Sequence, residues 1–108
     1  MPSIQRFKEQ NLQAICDILA DTSTGLTGAE IGRLLGDCQI PDPAPEITKR
    51  HRLFAALHQR QLSEGVGNSV MQFILKAMSP VRYVGCGDRF EIRRSELNAA
   101  LAFSGMSL

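Results

Sequence analysis

A chain of 108 residues has room for one domain, and 44% apolar with 21% charged residues is a globular balance that argues against a disordered chain. The net charge of +1 excludes any global attraction to nucleic acid or an anionic membrane, so such binding would need a local patch. Three cysteines without a closely spaced pair exclude a disulfide scaffold and a CxxC-type zinc site, and no apolar run has signal-peptide or transmembrane length, which predicts a soluble cytoplasmic protein.

The first helix is expected over about residues 5–21. Leu12, Ile15, Cys16, Leu19 and Ala20 follow the spacing of one helical face, with Glu9, Gln13 and Asp17 on the other. The stretch `TSTG` should end it, with Gly25 in the left-handed conformation. Thr27 and Glu30 form a T-x-x-E capping box that starts a second helix over 27–38, with Ile31, Leu34, Leu35 and Cys38 as its apolar stripe. Cys16 and Cys38 are thus expected as buried thiols, and Cys86, between two glycines, as a more exposed one. The two helices read as a hairpin or the first half of a helix-turn-helix.

Pro41, Pro43 and Pro45 alternate through the connection that follows, each removing a backbone donor and biasing its predecessor away from helix. A third helix is expected over 46–63, with Phe54, Leu57 and Leu62 inward and Ile47 and Leu53 helping. A fourth, over 68–78, carries the strong stripe Val70, Phe73, Ile74, Ala77 and Met78, which marks it as the central helix. Val81, Tyr83 and Val84 are expected in an irregular loop, with a short strand as the alternative. Asp88 and Glu91 then cap a fifth helix over 89–103, with Phe90, Leu97, Ala100 and Leu101 inward and Arg89, Arg93, Arg94 and Glu96 on a salt-bridged exterior. The fold class expected is therefore all-α, a bundle of four to five helices in a single domain over 1–108.

No complete catalytic constellation is present. His51 and His58 stand seven residues apart, about 10 Å along a helix, too far to share a metal, and no carboxylate partner is evident for either. Arg52 and His58 match a loose R-x5-H pattern of HEPN-type ribonucleases, but residues six apart on a helix project in opposed directions. Walker A, GxGxxG and GxSxG motifs are all lacking. No cofactor, metal or small-molecule substrate is expected. The basic run Lys49-Arg50-His51-Arg52 could contact phosphate, or could be a solvated face balanced by Glu46 and Asp42. Four consecutive helical residues cannot all reach one phosphate track.

The segment `GLTGAEIGRLLGDCQIPDPAPEITKRHRLFAAL`, with `NSVMQFILKAMSPVRY` and `RFEIRRSELNAALAFSG` downstream, resembles a bacterial family, the Ymh-type proteins, from about Leu12 to Leu108. Longer relatives look as if they carry this region ahead of a HEPN-like domain associated with phage defence. The resemblance implies a sensor, adaptor or regulatory module, without the activity of that further domain. Residue pattern and resemblance together lead to a non-catalytic interaction module. It would bind a protein partner, or a second copy of itself, through Pro41, Pro43, Pro45 and the exposed Lys49, Arg50 and Arg52. The alternative is a winged-helix-like DNA-binding regulator using the helix that begins near Glu46.

Overall fold

The computed structural model describes residues 4–22, 25–79, 85 and 87–102. Five helices follow one another among them: α1 (Glu9–Leu19), α2 (Gly28–Asp37), α3 (Lys49–Glu64), α4 (Asn68–Ala77) and α5 (Gly87–Leu101). The expected all-α bundle is what forms, and among the described residues there is no strand. Ser23, Thr24, the stretch with Val81, Tyr83 and Val84 expected as a loop, Cys86 and the end of the chain from Phe103 lie outside the described residues.

The hub is α3, not α4. It packs against α1, α4 and α2, while α5 packs along α1. The reason is α3's own buried stripe of Leu53, Ala56, Leu57 and Gln61, whose spacing keeps one face inward for the whole length. Leu62 lies one residue, about 100°, beyond that stripe and is exposed rather than inward. Ile47 is exposed as well, because α3 begins at Lys49 and leaves Ile47 in the preceding turn. Phe73, Leu12, Ile15, Ile31, Leu57 and Leu97 bring all five helices into one core.

The caps explain where the elements stop. Thr27 and Glu30 form the expected reciprocal box, with Thr27 Oγ1 accepting from Glu30 N–H at 3.1 Å and Glu30 Oε1 accepting from Thr27 N–H at 2.9 Å. At the far end of α2, Ile40 N–H donates to Leu35 O (2.8 Å) and Gln39 N–H to Gly36 O (3.0 Å). This is a Schellman motif, with Gln39 at φ 56° in the left-handed position that glycine usually fills. Ile40 and Leu35 are both buried beneath it. The turn is therefore set before the first proline. Gly25 does not adopt the left-handed conformation; it is needed because a Cβ there would lie 2.2 Å from Asp21 N. Asp88 lies inside the first turn of α5 rather than capping it, since α5 begins at Gly87.

Residues 4–8 are not helical and the N-cap Lys8 is extended, so α1 begins at Glu9 instead of near Gln5. This strap crosses the junction of α3 and α4. The buried Gln61 amide accepts from Phe7 N–H (2.9 Å) and donates to Phe7 O (2.9 Å), a side-chain imitation of a strand pair. Ile4 N–H donates to Asn68 Oδ1 (2.7 Å), and Gly67 N–H donates to Ile4 O (2.7 Å). The Phe7 ring is buried against Gly67.

Candidate interaction site at the proline turn

The six residues expected to meet a partner fall into two groups. Pro41, Pro43, Pro45 and Arg50 are exposed. Lys49 and Arg52 are not the exposed cations expected of them. Lys49 Nζ donates to the carbonyls of Asp21 (3.1 Å) and Leu26 (3.0 Å), bracing the α1–α2 connection. Arg52 reaches the other way. Its Nη2 donates to Asp42 Oδ2 at 2.6 Å, its Nε to both carboxylate oxygens at 3.1 and 3.3 Å, and its Nη1 to Gly28 O at 3.1 Å.

The sequence makes that reach available. Gly28 and Gly32 present no side chain toward α3, and a Cβ on Gly32 would sit 3.1 Å from Arg52 Nη2. The guanidinium therefore lies against α2 and clamps the acid that stands between Pro41 and Pro43. With side chains 12% and 23% exposed, the Arg52–Asp42 pair is largely removed from water. A bidentate pair of this kind fixes geometry as well as adding attraction. The turn is thus held from inside by Arg52 and anchored behind by the Schellman motif.

On its outer side the turn shows the three prolines, Arg50 and one residue that periodicity had turned inward, Ile47, which is 48% exposed. The helix starts only after Thr48, whose φ of −57° and ψ of 148° make it the N-cap and leave Ile47 ahead of α3. A small cavity of about 230 Å³ opens beside the turn, lined by Pro41, Ala56, Gln59, Arg60 and Ser63.

The remaining candidates disperse. His51 Nδ1 shares a 2.9 Å hydrogen bond with Thr48 Oγ1. His58 does have a carboxylate partner, contrary to the sequence reading: its Nε2 lies 3.3 Å from Glu9 Oε1 on α1. Its ring stacks on Phe54 at 5.1 Å, and its buried Nδ1 has no hydrogen-bond partner among the described residues. Arg52 thus faces α2 and the turn while His58 faces α1, so the two do not converge on a common point. On α5, Arg93 is buried rather than exterior, whereas Arg94 pairs with Glu91 at 3.4 Å as expected. Among the described residues no cluster of three or more His, Cys, Asp or Glu could hold a metal, and no helix is long and apolar enough to cross a membrane.

Comparison with known protein families, with curated proteins and with solved structures gives no match.

Proposed function

We propose that this chain is a non-catalytic interaction module that docks a protein partner through the turn formed by Pro41, Pro43, Pro45 and Ile47, with Arg50 at its edge. Lys49 and Arg52 act behind this surface, as struts. The observation that carries the reading is the Arg52 clamp on Asp42 and Gly28 O. A surface already fixed loses little conformational entropy when it is covered, and prolines flanking the clamped acid leave few other shapes open to it. The resemblance to the Ymh-type proteins supports a sensor, adaptor or regulatory role connected with phage defence. Recognition of DNA by α3 has weaker support, because two of its first four residues are cations bonded within the fold.

The test is site-specific photocrosslinking in the cells that make the protein. A photoreactive residue replaces Ile47 in one variant and Leu75 in another, the latter being a comparably exposed apolar position on α4. A discrete protein adduct at position 47, absent at position 75 and diminished by Arg52→Ala, is the expected result. Equal adducts at both positions, no adduct at 47, or steady-state turnover of any substrate by the pure protein would overturn the proposal.

A further inference from the structure

Away from the turn, α1 and α5 leave an open groove of about 670 Å³ between them. Its α1 wall carries Asp17 and Ile18, with Asp21 just beyond the helix. Its α5 wall carries Asp88, Ile92 and Glu96 at four-residue steps, a single stripe about 12 Å long. Each wall carries one isoleucine with carboxylates near it, Ile18 next to Asp17 on α1 and Ile92 one turn from both Asp88 and Glu96 on α5. Ile92 is 62% exposed. A lone exposed isoleucine needs no explanation on a convex surface, but this one lies in a concavity with a second isoleucine across from it.

Two arginines also line the groove. Arg93 is buried and already engaged within the fold. Asp21 is engaged within the fold as well, and Arg89 is exposed, so among the described residues of the groove it is the single exposed cation, set against Asp17, Asp88 and Glu96. The volume lies in the range that encloses a bulky anchor and its neighbours. A polyanion would be repelled there, and a neutral apolar segment would strip water from the carboxylates without replacing it.

We propose that this groove docks a cationic amphipathic helix of a partner protein. A large apolar side chain of that helix sits between Ile18 and Ile92. A Lys or Arg one turn before it and another one turn after it meet Asp88 and Glu96. The eight-residue separation of those two cations spans about 12 Å, the same as the stripe it faces. The surface is separate from the proline turn and does not depend on it.

The experiment is a titration of the ¹⁵N-labelled full chain with a synthetic helical peptide. The peptide carries one leucine with a lysine four residues before and another four residues after it. Amide shifts are expected to concentrate at residues 17–21 and 88–96. Affinity should fall at least about tenfold for Asp88→Asn combined with Glu96→Gln, and similarly for a peptide with serine in place of the leucine. The Ile47→Ser, Arg50→Ala variant should bind as the parent does. Asp88 and Glu96 are exposed, and circular dichroism checks that the double variant is folded. Absence of shifts at millimolar peptide would sink the proposal. So would shifts mapping elsewhere, or undiminished binding by either the Asn/Gln variant or the serine peptide.

Discussion

Cys16 lies wholly inside the core on the inner face of α1. Burial, and secondarily the neighbouring Asp17 charge, push its thiol far above the usual range. Cys38 moves in the same direction, again chiefly through burial, with Lys76 opposing. A thiol that holds its proton in the folded state but releases it when unfolded makes alkali destabilising. Its contribution is complete below the unfolded pKa of about 8.5 and is lost as pH rises beyond that value toward the folded one. Unfolding free energy measured by urea titration under reducing conditions should therefore fall between pH 7 and pH 9.5. Cys16 alone should account for about 1 kcal/mol of the fall. The same series on Cys16→Ala should show a total fall smaller by that amount, whatever its absolute stability. Parallel slopes in the two proteins would show that the thiol ionises in the folded state. Gln61 is a residue of the opposite kind, polar and buried, with both ends of its amide satisfied by the Phe7 backbone.

At the scale of elements, the first turn of α3 joins three others: Lys49 ties it to the α1–α2 connection, and Arg52 to α2 and the proline turn. Arg52→Met would leave the shielded Asp42 carboxylate without its cation, and should cost about 2 kcal/mol in thermal or denaturant unfolding. Arg50→Met, two residues away and exposed, should stay within about 0.5 kcal/mol of the parent. Equal losses would mean that the clamp contributes nothing and the turn is held by its prolines alone. These two arginines also show what was legible in the sequence. Helical periodicity and the Thr27–Glu30 box located all five helices, because each signal is local. The basic run could be seen, but not which of its cations turn inward, since that depends on Asp42, ten residues before Arg52 in the chain, and on the bare surface of Gly28 and Gly32. Leu53 and Leu57 are inward as expected, but one position on that face of α3 was misplaced for a related reason. Leu62 looked inward by hydrophobicity, whereas the inward position belongs to Gln61, whose partner is backbone 54 residues away. The apolar part of the candidate turn was missed at Ile47, and the α1–α5 groove was not visible at all, because it exists only where two distant helices meet.

For the molecule as a whole, the strap of residues 4–8 is the feature that closes the bundle. It is a non-helical segment without periodicity, lying across the α3–α4 junction and fixed there by Gln61, Asn68 and Gly67. A domain of this length has on the order of 5–15 kcal/mol of net stability, so a few bonds and one buried ring form a large fraction of it. Phe7→Ala should cost about 3 kcal/mol through the lost ring and the space it leaves. Gly67→Ala should act on the same contact from the other side. Gly67 has φ −96°, which any residue adopts, so backbone strain is not the issue. The added methyl would lie 2.6 Å from Gln5 O and 3.1 Å from the Phe7 ring, and the strap must lift. Once it has lifted, removing the ring can remove little more. The double variant should therefore be less destabilised than the two single variants added together, by at least about 1 kcal/mol. Chemical unfolding of the four proteins measures the difference. Simple additivity would mean that Phe7 keeps its place when the Gly67 contact is broken, and the strap would then be a loosely laid segment rather than the piece that closes the core.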